Sequence, residues 1–345
     1  AKVPSLRVLA KQFNVSTITV RQALQTLERE GHLHCIPGVG VFVRPTIPSR
    51  PVVETTTIAF ATIEIETAFT SWIARGVEEA CQERGWGMHL FNARGDTHVE
   101  ARNLSRLTRS GLSGAIILPV CDAENLEALV QLKLTGFPFV LVDLSISGLK
   151  IDVIASDHVK GARLATEYLL DKGHRRVLMI AQHSTMSSVP ARIQGYEQAL
   201  IDHGIEPLRD WKIWMDNAIT CRGGKEGRRW LGGCEAALAA LPKFEPPIAI
   251  LAHNAYSGWG VFEACRRLGL RIPEDVSVIS FDDAEFTRAL NPPMTIVAQR
   301  TGDIGRVAIE TLERRMAAGT MDNPQQILID VDIIERGSVA SLNGQ

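Results

Sequence analysis

The chain of 345 residues contains no apolar run near the roughly 18 residues that cross a membrane, and no basic segment leading into an apolar core of the kind that marks secretion. Its six cysteines, Cys35, Cys81, Cys121, Cys221, Cys234 and Cys265, include no Cys-x-x-Cys pair and have no histidine at ligand spacing. That scatter argues against a metal framework or a disulfide scaffold, and for reduced, mostly buried thiols in a cytoplasmic protein. A surplus of one charge is also missing: the formal net of −2 argues against a general affinity for nucleic acid.

Catalytic motifs are absent as well. Gly38-Val39-Gly40-Val41-Phe42-Val43 starts like a dinucleotide-binding loop but ends in valine and runs toward prolines instead of opening a helix. Gly224-Lys225-Glu226 has neither the hydroxyl residue nor the upstream glycine of a phosphate loop. Ser257, in Ala255-Tyr256-Ser257-Gly258-Trp259, lacks the flanking glycines of a nucleophile elbow. Asp282 and Asp283 are chain neighbours, whose side chains usually point apart, and no histidine or cysteine joins them. No enzymatic activity, cofactor or metal is expected.

What is present is unevenly placed. A chain of this length holds two or three domains, each with its own core. Residues 1–45 carry Lys2, Arg7, Lys11, Arg21, Arg29 and Arg44 against Glu28 and Glu30, a net of +4 that leaves −6 for the remainder. A small basic end on an acidic body suits a protein that meets phosphates at one end only. Within that end, STITVRQALQTLEREG at 16–31 repeats Val20, Leu24 and Leu27, with Ala23 between them, at helical spacing. The pattern predicts a buried stripe that leaves Thr17, Thr19, Arg21, Gln22 and Gln25 outside. Ser16 suits the N-cap, and Gly31 the left-handed position that ends a helix. Ser5 can cap a shorter helix with Leu6, Leu9, Ala10 and Phe13 on one face, and Asn14-Val15 is then a tight turn between two helices. Residues 32–35 and 41–44 read as two short strands around Pro37-Gly38-Val39-Gly40, forming a wing.

The run PSLRVLAKQFNVSTITVRQALQTLEREGHLHCIPGVGVFV resembles the winged helix-turn-helix domain of the GntR family of bacterial transcription regulators. The resemblance implies operator DNA as a partner, with Ser5, Arg7, Ser16, Thr17, Thr19 and Arg21 as candidates for phosphate and major-groove contacts. Gly38 and Gly40 would let the wing approach the backbone closely. Thr17 stands where the family commonly has an arginine, and Val39 where the wing often has a basic residue, so fewer contacts than usual are expected. The chain starts at Ala1, and the helix that precedes Pro4 in the family is missing, so a partly truncated head is expected.

Residues 45–57, PTIPSRPVVETTT, have the composition of an extended linker. Beyond them short apolar strands alternate with helices: strands at 58–63, 87–91, 115–119, 139–142 and 153–155, then 177–181, 248–252 and 276–281, with helices between. That rhythm predicts parallel sheets covered on both faces. It runs through two α/β lobes in series, and the last segment, with strands at 295–298 and 326–332 around a helix, reads as a crossing back to the first lobe. The expected divisions are 1–45 for the head, 46–57 for the linker, 58–157 plus 296–340 for lobe 1, and 158–295 for lobe 2.

A sugar-like ligand needs carboxylates, amides and a guanidinium for its hydroxyls, and an apolar face for its C–H surface. In doubly wound sheets such groups sit where strands end. Asp143, Asn254 and Asp282 each follow an expected strand. DHVKGARLATEYLLDKGHRRVLMIA, ARIQGYEQAL, LGLRIPEDVSVISFDD and NPPMTIVAQ are together similar to the effector domain of the LacI family, itself similar to periplasmic sugar-binding proteins. The resemblance implies a two-lobed, doubly wound periplasmic-binding-protein-like effector domain behind the small head. It adds Phe69 as an aromatic wall, Arg192 from Arg192-Ile193-Gln194-Gly195-Tyr196, Gln299 and Asp157, and aligns Asn217, close to Trp211 and Trp214, where many relatives have a stacking aromatic. The usual Asn-Asp pair appears as Asn254-Ala255, one carboxylate short.

The function these readings imply is a homodimeric transcription repressor whose affinity for operator DNA is controlled by a small molecule, a carbohydrate or derivative. The alternative is a solute-binding protein of a sugar transport system, which shares hinged lobes but has no use for a DNA-binding head.

Overall fold

A computed structural model describes residues 2–36, 40–43, 55–121, 124–184, 186–319 and 323–343, the side chains of 221–223 and 225 excepted. The chain divides into two compact units, 1–55 and 56–345.

In the first unit, α1 (Leu6–Phe13) and α2 (Thr17–Arg29) are joined by a turn in which Asn14 adopts a left-handed backbone, φ 52°. Ser16 caps α2, its hydroxyl accepting from the Thr19 amide at 3.1 Å. Gly31 follows the helix at φ 83°. Strands β1 (Leu33–Ile36) and β2 (Gly40–Val43) pair antiparallel, Ile36 opposite Gly40. The tip of the wing, with Gly38 and Val39, and Arg44 lie outside the described residues. The expected buried stripe is only partly realised. Val20 is buried with Leu9 and Leu33, whereas Leu27 is exposed and Phe13 is 64% exposed. These side chains line an apolar hollow of about 400 Å³ among α1, α2 and β1, because three short elements do not close around it.

The second unit is a duplicated α/β architecture. One six-stranded sheet contains β3 (Thr57–Thr62), β4 (Gly87–Asn92), β5 (Gly114–Leu118), β6 (Phe139–Val142), β7 (Val153–Ser156) and β13 (Gln326–Ile329), ordered β13-β7-β6-β5-β3-β4. The other contains β8 (Val177–Gln182), β9 (Lys212–Met215), β10 (Ile248–Ala252), β11 (Val276–Phe281), β12 (Thr295–Gln299) and β14 (Val331–Ile334), ordered β14-β12-β11-β10-β8-β9. The strand pairs within each are parallel except β12 with β14. The first sheet is flanked by α3 (Ala68–Glu83), α4 (Thr97–Leu107), α5 (Leu126–Leu134) and α12 (Thr301–Ala318). With the second run α6 (His158–Asp171), α7 (Ser188–Asp202), α8 (Asn217–Lys225), α9 (Leu231–Ala240), α10 (Ala255–Leu268) and α11 (Glu285–Ala289). Each sheet is buried on both faces, by two separate apolar clusters per lobe, as continuous apolar strands require.

The strand pairing revises the expected lobe boundaries. Residues 295–299 stay in the second sheet beside β11, and 331–334 return to it, so of the segment 296–340 only α12 and β13 join the first lobe. The single strand expected at 326–332 is two strands in different sheets, broken at Asp330. The chain therefore crosses between lobes three times, near Asp157, Arg300 and Asp330. Strand β9 and helix α8 had no counterpart in the sequence reading.

Candidate functional site

The C-terminal ends of β3, β5, β6, β8, β10, β11 and β12 meet around a cavity of about 260 Å³ between the two lobes. The duplication places Asp143 after β6 and Asp282 after β11 in equivalent positions. Both have left-handed backbones, φ 66° and 75°, a conformation that is costly for a residue with a side chain and concentrates at functional sites. Asp282 Oδ1 accepts from Gln299 Nε2 at 2.5 Å, and burial pushes its pKa up against the opposing effect of Arg192.

Arg192 is the buried cation of the site, 5% exposed. Its Nη1 donates to the His253 carbonyl oxygen at 2.5 Å, Nε lies 3.4 Å from His158 Nδ1, and the guanidinium carbon stands 3.9 Å from the centre of the Phe281 ring. Gly195 explains how an arginine on α7 reaches this depth. A Cβ there would lie 2.0 Å from the Val159 carbonyl oxygen, so only glycine lets α7 press onto α6. Tyr196 then anchors the helix, fully buried with its hydroxyl donating to the Val177 carbonyl at 2.8 Å. Gly195→Ala is expected to cost about 3 kcal/mol and lower Tm by roughly 5–10 °C. Gly302→Ala, where an added Cβ meets nothing within 4 Å, should leave Tm unchanged; equal Tm values for the two variants would contradict this packing.

Six of the eight expected effector residues line the cavity: Phe69, Asp143, Arg192, Asn254, Asp282 and Gln299. Two do not. Asp157 caps α6, accepting from the Lys160 amide at 2.9 Å, and faces a small side pocket. Asn217 is exposed at the start of α8 and donates to the His183 carbonyl at 2.8 Å. Asn254 has a double duty, because its Oδ1 accepts from the Ser257 amide in a capping box for α10. Asp283 turns away from its neighbour, binding Arg288 and Arg336 at 2.5 and 2.6 Å.

The sequence reading missed several groups. His253 lines the cavity, and burial followed by the charge of Arg192 pushes its pKa down to about 3. Tyr256 and Glu64 line it as well. Glu64 accepts both terminal nitrogens of Arg229, at 2.9 and 2.7 Å, in a forked ion pair that spans the two lobes. Arg229 stands 5.8 Å over the Tyr256 ring, and Tyr256, Phe286, Trp259 and Trp230 follow one another at ring distances of 5.0, 5.0 and 6.2 Å. The buried atoms Asp143 Oδ1, His253 Nδ1 and Gln299 Oε1 have no hydrogen-bond partner; His158 Nε2 lies 3.2 Å from Asp143 Oδ1 without bonding it. Unpaired buried polar atoms are costly unless a ligand completes them.

Neutral burial of His253 has a consequence for stability. Between pH 6.5 and about 3 the unfolded chain gains a proton that the folded chain does not, so stability falls as pH falls. His253→Gln is expected to remove up to about 1.4 kcal/mol per pH unit from that decline. Thermal unfolding at pH 7 and pH 5 reads it, and parallel losses in parent and variant would contradict neutral burial.

On the DNA-binding side, Ser5, Arg7, Ser16, Thr17, Thr19 and Arg21 are all exposed. Ser5 starts α1 without a side-chain capping bond, and the Ser16 and Thr19 hydroxyls bond each other at 2.8 Å. Thr17 and Arg21 lie one turn apart on α2. Gly40 opens β2 at φ 135°.

A pair of α/β lobes around a cavity into which charged and amide side chains converge, carried on the same chain as a helix-turn-helix unit, defines a ligand-responsive transcription regulator. The comparisons agree: the chain belongs to the periplasmic binding protein-like domain family, matched over residues 166–339, and residues 1–43 match the bacterial regulatory proteins of the gntR family. It is 28% identical over 346 residues to the arabinose metabolism transcriptional repressor of Geobacillus stearothermophilus, covering 99% of this chain and 92% of that protein. Identity to the ribose operon repressor of Escherichia coli K12 is 28% over 285 residues, covering 83% and 82%. Among solved structures, a LacI family transcriptional regulator from Enterococcus faecium with bound ribose superposes with a TM-score of 0.69 at 25% identity, covering 84% of this chain and all of that one. These relatives are regulators, not enzymes, and the alternative of a transport-system binding protein falls with them.

Proposed function

We propose that the protein is a transcription repressor whose operator affinity is set by a sugar bound between the two lobes. The observation that carries this is the cavity itself: Arg192, two strand-end carboxylates, two side-chain amides and a neutral histidine converge beside Phe69, with three buried polar atoms lacking partners. Hydroxyl groups both donate and accept, so a polyhydroxylated ring answers all of these atoms, and its C–H face answers Phe69. The relatives named for arabinose and ribose operons, and the ribose-bound neighbour, support the same class.

The protein acts as a cytoplasmic homodimer that binds and does not transform its ligand. Closure of the lobes on a sugar alters the separation of the two heads, and the helical repeat of DNA fixes half-site spacing, so a small displacement weakens specific binding. Ser5, Arg7, Ser16, Thr17, Thr19, Arg21 and Gly40 supply the DNA contacts. Thermal unfolding against a panel of pentoses, hexoses and disaccharides tests the effector class. A sugar at about 100 times its Kd should raise Tm by about 5 °C or more. A panel without any shift would contradict the proposal.

A further inference from the structure

We infer that the effector is an uncharged sugar, and that the site rejects the phosphorylated and carboxylated forms of the same sugar. This rests on the sugar reading above and narrows it through the charges of the cavity. Among the described residues that line the cavity, Arg192 is the one permanent cation, while Glu64, Asp143 and Asp282 are carboxylates. His253 adds no positive charge at neutral pH, since it titrates near 3.

Both guanidiniums near the cavity already face carboxylates, so neither brings an uncompensated positive charge for an anion. Arg192 has one terminal nitrogen on the His253 carbonyl, its Nε near His158 and one face on Phe281, and two carboxylates already balance its charge. Arg229 has both terminal nitrogens on Glu64, the forked geometry that a phosphate or carboxylate ligand would itself demand. The helix starts at Ala68 and Ala255 also border the cavity and favour negative charge, each by roughly half a charge. They only offset the one negative charge left when Glu64, Asp143 and Asp282 are set against Arg192 and Arg229, so no positive surplus remains for an anion. Gln299 Oε1, buried without a hydrogen-bond partner, needs a donor at its own position in the cavity. A hydroxyl supplies a donor; a phosphate dianion or a carboxylate does not.

The test is calorimetric titration of the full chain with matched probes: D-ribose and ribose 5-phosphate, D-glucose, glucose 6-phosphate and glucuronate, D-galactose and galacturonate, and L-arabinose. At least one neutral sugar should bind, with its charged counterpart at least about 100-fold weaker, as expected when like charges are brought together in a closed site. Glu64→Gln, which loosens the hold on Arg229 and removes one carboxylate, should cut that neutral-to-anionic ratio by about tenfold. An anionic form that binds as tightly as its neutral parent, or tighter, overturns this inference and leaves the sugar reading standing. A ratio unmoved by Glu64→Gln overturns the part given to the Glu64–Arg229 pair. Failure of every probe, neutral and charged alike, overturns the sugar reading and this inference with it.

Discussion

Replacing Arg192 with lysine is expected to weaken binding of the effector by at least about 100-fold and to leave a repressor that holds operator DNA without responding to the sugar. Charge is conserved in this substitution, so the loss isolates geometry. A planar fork supplies Nη1 to the His253 carbonyl, stacks on Phe281 at 3.9 Å and keeps further N–H groups for the cavity. An ammonium on a flexible stem does none of these together, and it would sit among Asp143, Asp282 and His158 with one donor cluster instead of a fixed array. Thermal unfolding of the variant separates loss of binding from loss of fold. A Kd equal to that of the parent would show that Arg192 does not hold the ligand.

The second large effect is on DNA. Arg21→Ala is expected to reduce affinity for a duplex selected by this protein from random DNA by about 10–100-fold, the range for loss of a base-reading or strong phosphate contact. Arg21 is exposed on the second helix of the helix-turn-helix, one turn beyond Thr17, on a head whose Arg7, Lys11 and Arg29 make it the basic end of the chain. Sugar binding should be unaltered, because the substitution lies outside the α/β unit. Fluorescence anisotropy reads the loss, and equal affinities for variant and parent would remove Arg21 from the interface.

Legibility of the site in the sequence followed from where each group sits. Asp143, Asn254 and Asp282 follow short apolar strands, and the end of a parallel strand is where a crevice forms, so alternation of elements was enough to find them. Arg192 was carried by its link to Gly195 and Tyr196, a spacing that the helix contact now explains through the close approach to Val159. Asp157 shows the limit of the same rule: an aspartate after a strand is also the natural cap for the next helix, and here the cap prevailed. His158 and His253 escaped notice because a lone histidine beside an apolar strand looks like any buried histidine. Glu64 and Arg229 stand 165 residues apart in the chain, and nothing local marks a pair formed only when two lobes meet. The boundary error at 296–340 has a similar origin. A run of alternating residues from 326 to 332 reads as one strand, and only the pairing of Gln326–Ile329 with β7 and of Val331–Ile334 with β12 reveals the crossing at Asp330.

The central claim is that occupancy of the cleft controls the grip on DNA. Its most direct test is to titrate the purified protein onto a fluorescent duplex it has selected, with and without a sugar that calorimetry shows to bind. The account predicts that saturating sugar changes the Kd for DNA by at least about tenfold in the parent and leaves it unchanged in Arg192→Lys. A sugar that fills the cleft while the DNA isotherm stays where it was would contradict it.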